Sequence, residues 1–365
     1  MLSTVPPTSC GIATFATALA CGLEHHGAEV LYVDVGESMA AGSKATVALG
    51  TASPTDIAAV ANELNTCSAT IVQHEYGIYP GDDGCGVLDI VEQLTNEVII
   101  VAHTVLSTPT ANQYHVLTEL CSLADIVVVM TEVARQRLIH HYDIDVRRIT
   151  VIPHGAAVPT ASSTPVTDSP RILTWGLLGP GKGIEWAIDA MGELPAAASH
   201  AHYLVAGATH PNVKARDGEA YRDSLKERAR RRGVGDRVIF DDAYRSVSDL
   251  CDLIATAHLV VLPYDSVDQV TSGVLVDAVA AGRPVVSTAF PHAEELLATG
   301  AGIVVPQSDS SALAAALATV LTDTTKAHEM RREACRLAPS LSWPSVAARY
   351  LDSIRLAQRN LTTVA

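Results

Sequence analysis

The sequence predicts an α/β protein made of two open parallel sheets, each covered by helices. Short β-branched runs alternate with longer helical patterns along almost all of the 365 residues. The runs are apolar at consecutive positions, as in strands that are buried on both faces. Residues 156–170 are rich in Pro, Ser and Thr and have no periodicity, which is typical of a linker. We therefore expect two Rossmann-like, doubly wound domains, in agreement with the chain length.

The individual elements follow from these patterns. The predicted strands are residues 29–35, 69–74, 98–104, 125–131 and 149–154 before the linker, and 171–177, 202–207, 237–242, 258–264, 284–288 and 302–306 after it. The clearest helical patterns are residues 11–27, 116–125, 185–194 and 309–323, and Asp309 is a typical N-cap for the last of these.

The predicted domain boundaries place the first domain at residues 1–155, the linker at 156–170 and the second domain at 171–342. Residues 343–365 form a closing amphipathic helix, whose predicted apolar side consists of Val346, Tyr350, Leu351, Ile354 and Leu356. Because open α/β sheets bind ligands at the carboxyl ends of their strands, we expect the site in a cleft between the two domains.

Composition and charge exclude several classes of function. A net charge of −15 argues against a nucleic-acid-binding protein, which needs a basic surface. The seven cysteines form no CxxC pair, which favours reduced thiols over a disulfide framework or a zinc site. We see no signal peptide and no apolar run of the ~18–20 residues that span a bilayer, and we expect a cytoplasmic protein. The basic run at 226–237 is predicted to be a solvated helix face, with peripheral contact to anionic lipids as the alternative.

The stretch DQVTSGVLVDAVAAG carries the first candidate site. It follows a predicted strand, and its helix starts near Ser272 and Gly273, where unpaired N–H groups and the helix dipole attract an anion. Asp277, one turn into the helix, could accept hydrogen bonds from vicinal hydroxyls. The alternative is that Thr271 or Ser272 is simply an N-cap and Asp277 a solvated residue.

A second candidate is the loop GLLGPGKG, in which four glycines surround Lys182 between a strand and a helix. One ammonium in a flexible loop at a helix start suits a diphosphate. The spacing matches neither the P-loop nor the dinucleotide fingerprint, and a plain glycine-rich turn is the alternative.

Candidates in the first half lie near predicted strand ends. His74, Glu75 and His103 follow apolar strands, where such sheets place ligand-binding residues. The turn PPTSCGIATF leads into the first helix and would present the backbone at Gly11. Satisfied core histidines and an ordinary turn are the alternatives. We expect no metal site, because no HxxxH or HxH pair occurs with these histidines.

Taken together, these motifs resemble retaining glycosyltransferase family 4, which has the two-domain GT-B fold. The resemblance covers nearly the whole chain and includes PPTSCGIATF, QHEYGIY, VAHTV, VIPHG, GKG, RRRGVGDRVIF and LPYDSVDQVTSGVLVDAVAAGRPVVST. It implies that the first domain lies on the acceptor side and the second on the donor side. It also implies that the closing helix packs back on the first domain.

The resemblance implies roles for individual residues. Those implied as catalytic are His103, which contacts the transferred sugar, Lys182, which neutralises the leaving diphosphate, and Gln269, at the first position of the E-x7-E motif. The donor-binding candidates are Gly11, Ile12, Lys182, Gln269, Ser272, Gly273, Val274, Leu275 and Asp277, together with Tyr244 as a candidate wall of the base site. The candidates on the sugar and acceptor side are His103, and also His74 and Glu75 from their position at a strand end.

Two departures from the family pattern concern the predicted donor site. The chain has Q-x7-D in place of E-x7-E, and Leu177 occupies the position of the usual basic residue after the first strand of the second domain. One cation, Lys182, is therefore expected where the family has two. Several N–H groups in a closed site can replace part of the missing charge.

The resemblance implies retaining, front-face transfer of a hexose from a nucleotide sugar to an acceptor hydroxyl in carbohydrate biosynthesis. GDP-mannose is the favoured donor and UDP-glucose is possible. The acceptor is a carbohydrate, a lipid or a small molecule, and no further cofactor is expected. The alternatives are a catalytically weak sugar-nucleotide binder and a glycoside phosphorylase of the same fold.

Overall fold

A computed structural model describes residues 1–8, 10–36, 43–158, 169–243 and 245–364, with side chains through residue 359. The chain divides into two compact units. Unit 1 is Met1–Gly155 with Trp343–Ala365, and unit 2 is Ala156–Ser342. Most of the predicted linker, residues 159–168, lies outside the described residues.

Unit 1 contains a parallel sheet of seven described strands. They are β1 Leu2–Ser3, β2 Val33–Asp34, β3 Val47–Ala48, β4 Ala69–His74, β5 Glu97–Ala102, β6 Ile126–Val129 and β7 Ile149–Val151. Their order in the sheet is β3-β2-β1-β4-β5-β6-β7. The helices of this part are α1 Gly11–His25, α2 Pro54–Leu64, α3 Gly86–Val91, α4 Ala111–Leu123 and α5 Glu132–His141.

The prediction for unit 1 is confirmed for the long strands and incomplete for the short ones. The prediction of a strand at residues 69–74 has the same bounds as β4, whereas the strand predicted at 29–35 is reduced to Val33–Asp34. The strands β1 and β3 were not predicted, because two residues are too few to show a periodicity.

Unit 2 contains a parallel sheet of six described strands: β8 Arg171–Trp175, β9 His202–Ala206, β10 Val238–Asp241, β11 Leu259–Leu262, β12 Val285–Thr288 and β13 Gly302–Val305. Their order is β10-β9-β8-β11-β12-β13. The helices are α6 Ile184–Glu193, α7 Pro211–Asp217, α8 Ala220–Arg231, α9 Val247–Ala255, α10 Gly273–Ala280, α11 Pro291–Leu297, α12 Ser310–Thr322 and α13 Thr324–Leu341.

The sheet of unit 2 is buried on both faces. Successive residues of one strand enter different core clusters: Ile172 packs in one cluster and Leu173 in the other, and Val260 and Val261 divide in the same way. This is the alternation of a pleated strand that is covered on both sides. The N-cap prediction is confirmed as well, since the Asp309 side chain accepts a hydrogen bond from the N–H of Ala312.

The basic run on α8 is only partly a solvated face. Arg228 and Arg232 donate to the buried carboxylate of Asp189 on α6, with nitrogen–oxygen distances of 2.5 to 2.8 Å. Burial raises the pKa of Asp189, but the hydrogen bonds from the two guanidinium groups outweigh it and the net shift is downward. Arg232, the C-cap residue of α8, is nevertheless exposed, whereas Arg228 is partly buried, so that the predicted solvated face is incomplete at Arg228.

The closing helix, α14 Trp343–Val364, packs against α1 within unit 1. Val346 and Tyr350 are buried in the same core cluster as Phe15 of α1, and Leu351 and Ile354 pack at its edge. Leu356 was wrongly assigned to this apolar side, since 62% of it is exposed.

None of the described helices combines the length and the apolar character needed to cross a membrane. The seven cysteines are all free thiols, as predicted.

Candidate functional site

The glycine-rich loop after β8 is shaped by close backbone contacts in unit 2. Gly183 has a left-handed conformation with φ of 59°, and a Cβ at this position would lie 1.9 Å from the carbonyl oxygen of Pro263. The carbonyl of Gly181 accepts a hydrogen bond of 3.3 Å from the N–H of Asp265. Glycine is therefore required at 183, and the loop is tied to the segment that follows β11.

Lys182 lies in this loop with its ammonium over an aromatic ring. Its Nζ atom is 4.3 Å from the ring centroid of Tyr264, within the range of a cation–π interaction. Tyr264 is buried and stacks on Phe290, with 5.0 Å between ring centroids and an interplanar angle of 24°. Lys182 is itself partly buried.

The start of α10 offers N–H groups without helical partners. The Oγ atom of Ser272 accepts from the N–H of Leu275 at 3.3 Å, and the N–H of Ser272 donates to Nδ1 of His292 at 2.8 Å. No acceptor for the N–H groups of Gly273 and Val274 is found in the described part of the chain. The helix start therefore has the donors of an anion site.

The loop and the helix start lie at the same edge of the sheet. A Cβ on Gly207, at the end of β9, would lie 1.9 Å from the carbonyl oxygen of Gly176, at the end of β8. A Cβ on Gly176 would lie 3.7 Å from Cγ2 of Val274 on α10. The beginning of the Lys182 loop is thus adjacent to the first turn of α10.

Asp277 has an unsatisfied carboxyl group on α10. Burial raises its pKa from 3.8 to about 7, although the residue keeps some exposure. No hydrogen bond or ion pair of this carboxyl is found within the described residues. Its charge also contributes, after burial, to the raised pKa of Cys251 on α9, which places the two side chains close together. The carboxyl is available to accept hydrogen bonds from a ligand.

Gln269 is turned toward its own loop. Its side-chain Nε2 donates to the backbone carbonyl of Thr271. Its backbone carbonyl accepts from the N–H of His292 at 3.4 Å. The side chain is partly buried and lies just before the helix start. Its implied contact with a sugar would have to use Oε1 or a rearranged amide.

Several features of unit 2 were not identified from the sequence. The sequence shows Tyr264 only as the end of a predicted strand and contains no signal for His292. Arg222 on α8 is buried and donates to the carbonyl of Gly207, so that a second cation lies near the strand ends. These contacts join segments far apart in the chain, and no local pattern predicts them. Tyr244 lies outside the described residues.

In unit 1, the strand ends bring His103 and Gln73 together. Nε2 of His103 donates to Oε1 of Gln73 at 2.7 Å. Burial, and then the neighbouring His154 and His74, lower the pKa of His103 to about 3. His103 is therefore a neutral imidazole at physiological pH.

The neighbouring candidates differ in exposure. His74 is completely buried, packs edge-on against Tyr76 at 5.0 Å, and burial lowers its pKa to about 4. Neither ring nitrogen of His74 has a hydrogen-bond partner in the described part of the protein. Glu75 is partly buried and accepts from Thr104 Oγ1 at 2.5 Å, and burial raises its pKa. The other carboxylate oxygen of Glu75 accepts from the N–H of Tyr76 at 3.0 Å, so that each oxygen has one donor and a ligand hydroxyl would have to use a remaining lone pair. His74 supports the strand end from the interior.

The start of α1 leaves Gly11 open. Gly11 is exposed, and a Cβ there would meet no atom within 4 Å. The thiol of Cys10 caps the helix by accepting from the N–H of Ala13 at 3.3 Å. Ile12 is partly buried in the first turn. One turn further on, Phe15 contacts the ring of His103, with 4.7 Å between centroids.

Comparison with known proteins gives matches in sequence and in fold. Residues 169–323 match the family described as Glycosyl transferases group 1. The chain is 30% identical over 257 residues to D-inositol 3-phosphate glycosyltransferase of Corynebacterium glutamicum (strain R), covering 65% of this chain and 59% of that protein. It is 28% identical over 243 residues to the enzyme of the same name from Corynebacterium efficiens, covering 63% of this chain and 56% of that protein. The chain thus spans less than two thirds of the length of these relatives.

Solved structures with the same fold cover nearly the whole chain. The structure of Anabaena Alr3699/HepE in complex with UDP has a TM-score of 0.78 at 17% identity, covering 97% of this chain and 98% of that chain. Sucrose-phosphate synthase from Thermosynechococcus elongatus has a TM-score of 0.74 at 17% identity, covering 97% and 94%. At these identities the likeness shows the fold.

Proposed function

We propose that this chain, whose residues 169–323 belong to the Glycosyl transferases group 1 family and which has the GT-B fold, transfers a hexose from a nucleoside diphosphate sugar to an acceptor hydroxyl. The observation that carries the proposal is the arrangement at one sheet edge of unit 2. There the beginning of the Lys182 loop lies next to the side chain of Val274 in the first turn of α10, whose N–H groups at Gly273 and Val274 have no acceptor among the described residues, and Asp277 follows one turn later.

The diphosphate is the part of the donor that Lys182 and α10 bind. As the bond between sugar and phosphate breaks, negative charge develops on the leaving oxygen. One ammonium and the N–H groups of Gly273 and Val274 stabilise that charge with donors that are already in place. This preorganisation is the source of catalysis that the residues of unit 2 offer.

The ribose is the part of the donor that Asp277 binds. Two vicinal hydroxyls donate to an ionised carboxylate, which has no other partner among the described residues. Burial raises the pKa of Asp277 to about 7, so that both the protonated and the ionised carboxyl are present at neutral pH. Hydrogen bonds from the hydroxyls favour the ionised form.

We propose retention of configuration by front-face transfer, in which the leaving phosphate takes the proton of the acceptor hydroxyl. Unit 1 supplies the acceptor side. The neutral His103 contacts the transferred sugar, and Glu75 accepts a hydrogen bond from a hydroxyl of the sugar or the acceptor. Gln269 of unit 2 contacts the sugar hydroxyls from the side of the donor.

The choice of donor and acceptor sets the first assays. GDP-mannose is the donor that the sequence favours, and the HepE structures were solved with UDP and with UDP-glucose. D-inositol 3-phosphate is the first acceptor to test, because it appears in the name of the Corynebacterium relatives. Carbohydrate and lipid acceptors complete the panel.

The test is product formation. Wild type is incubated with UDP-glucose or GDP-mannose and the acceptor panel, and products are analysed by mass spectrometry and by NMR of the anomeric proton. We expect a glycoside with the anomeric configuration of the donor and one nucleoside diphosphate per transfer. A product of inverted configuration would contradict front-face transfer.

A catalytically weak sugar-nucleotide binder is the second candidate. It is favoured by Leu177, which adds no charge, and by Gln269, whose amide is occupied by its own loop. Nucleotide binding in calorimetry without turnover on any acceptor would support it. Oligosaccharide breakdown that depends on inorganic phosphate and needs no nucleotide would instead identify a glycoside phosphorylase.

A further inference from the structure

Tyr264 occupies a fixed position beneath the ammonium of Lys182. The strand β11 ends at Leu262, and Tyr264 follows as a fully buried aromatic residue with 1% exposure. Its carbonyl oxygen accepts from Oγ1 of Thr288 at 2.5 Å and from Nε2 of Gln307 at 3.4 Å. Its ring stacks on Phe290. Backbone and side chain are therefore both held in place.

The loop that carries Lys182 is attached to the same segment. Gly183 packs against the carbonyl of Pro263, and the N–H of Asp265 donates to the carbonyl of Gly181. The residues on both sides of Lys182 thus contact the residues on both sides of Tyr264. The ammonium and the ring are held together by the backbone as well as by their own attraction.

The aromatic ring of Tyr264 orients the ammonium of Lys182 without neutralising its charge. In the described part of the chain, Lys182 has no carboxylate within ion-pair distance. A carboxylate would orient the ammonium but cancel its charge, whereas a neutral ring orients it and leaves the charge available to an anion. Lysine has a flexible four-carbon stem, so that orienting it in advance reduces the entropy lost on binding.

We infer that Tyr264 is a positioning residue for the diphosphate: its ring holds the ammonium of Lys182 in the binding orientation and so offsets the missing basic side chain at Leu177. This inference rests on the proposed function, because it requires a diphosphate at Lys182.

The test is a double-mutant cycle on the full chain, with Kd for UDP and for GDP measured by calorimetry. The variants are Tyr264→Leu, Lys182→Met and the double variant, with Tyr264→Phe as the conservative replacement. Phe290→Leu is the control, because it removes a ring from the same stack but leaves the one beneath the ammonium. Circular dichroism establishes that each variant is folded.

We expect Tyr264→Leu to weaken binding of the nucleoside diphosphate by roughly 3- to 30-fold, the range of a cation–π contact. In the Lys182→Met background the same change should have an effect of less than about 2-fold, because the ring then has no cation to orient. Tyr264→Phe should restore most of the affinity, and Phe290→Leu should remain close to wild type.

Two results would overturn the inference alone: a loss from Tyr264→Leu that persists in the Lys182→Met background, or no loss at all while wild type binds the nucleotide. If wild type binds neither UDP nor GDP, the proposed function fails and the inference fails with it. If Tyr264→Leu does not fold, Tyr264 is replaced by 3,4,5-trifluorophenylalanine, which keeps the ring but weakens its attraction for a cation. Affinity equal to that of Tyr264→Phe would then overturn the inference.

Discussion

Nε2 of His103 donates a hydrogen bond to Oε1 of Gln73 across neighbouring strand ends, at 2.7 Å. This contact fixes the ring of a histidine whose pKa is lowered to about 3, mainly by burial. The imidazole therefore stays neutral with its proton on Nε2, and Nδ1 is left as the acceptor.

Gln73→Leu is expected to destabilise the protein by about 1–3 kcal/mol, because it leaves the N–H of His103 without a partner. The free energy of unfolding in urea measures this loss. In the variant that also carries His103→Leu, the total loss should be smaller than the sum of the two single losses. If the loss in the double variant equals the sum of the two single losses, the hydrogen bond between His103 and Gln73 contributes nothing to stability.

Lys182→Met is expected to lower kcat on the order of 10²–10³-fold, because it removes the one cation assigned to the leaving diphosphate. The steady-state rate with the donor and acceptor identified in the product assay measures the loss. Lys214→Met, at an exposed lysine that pairs with Glu219, is the matched control and should keep the rate of wild type. Equal rates for Lys182→Met and wild type would remove Lys182 from the catalytic account.

Nucleoside diphosphate binding is expected to strengthen as the pH rises through about 7. The pKa of Asp277 is raised to about 7 by burial, and the ribose hydroxyls donate to the ionised form. Calorimetry between pH 6 and pH 8 measures the trend. A phosphate group of the nucleotide also titrates near this range, so that Asp277→Asn is the necessary control. The part of the pH dependence that belongs to Asp277 should disappear in Asp277→Asn, and identical profiles would contradict its role.

Arg228→Leu is expected to destabilise unit 2 by about 1–3 kcal/mol, since a buried carboxylate loses one of its two charged donors. The pKa of Asp189 is lowered in the folded state, so this stabilisation is present above the usual pKa of 3.8 and is lost as the pH falls through the folded value. Arg230→Leu breaks an exposed pair with Glu227 and should cost less than about 1 kcal/mol. If Arg228→Leu and Arg230→Leu lose equal free energies of unfolding in urea at pH 7, the structural role of Asp189 is contradicted.

The sequence predicted the features that local patterns encode. Buried parallel strands are visible as apolar runs, and Ser272 and Lys182 follow such runs closely enough to be assigned to a sheet edge. The resemblance to glycosyltransferase family 4 agrees with the match of residues 169–323 to Glycosyl transferases group 1, and the predicted GT-B fold is confirmed.

The remaining features depend on contacts between distant segments or on the exact turn of a helix. Tyr264 meets Lys182 across 82 residues of chain, and Arg228 meets Asp189 across 39. Leu356 lies only two residues beyond the packed Ile354, and residues at that spacing point to opposite sides of a helix. Sequence periodicity cannot reveal the contact of Tyr264 with Lys182 or that of Arg228 with Asp189. Counting about 100° per residue along α14 would have excluded Leu356 from the apolar side.

Hydrogen exchange measured by mass spectrometry, with and without saturating UDP or GDP, tests the location of the diphosphate most directly. We predict slower exchange of backbone amides in residues 176–183 and 270–278, where the Lys182 loop and the start of α10 supply the donors. The same segments should lose most of this protection in Lys182→Met at equal nucleotide concentration. Saturated nucleotide binding that leaves both segments unprotected in wild type would contradict the account.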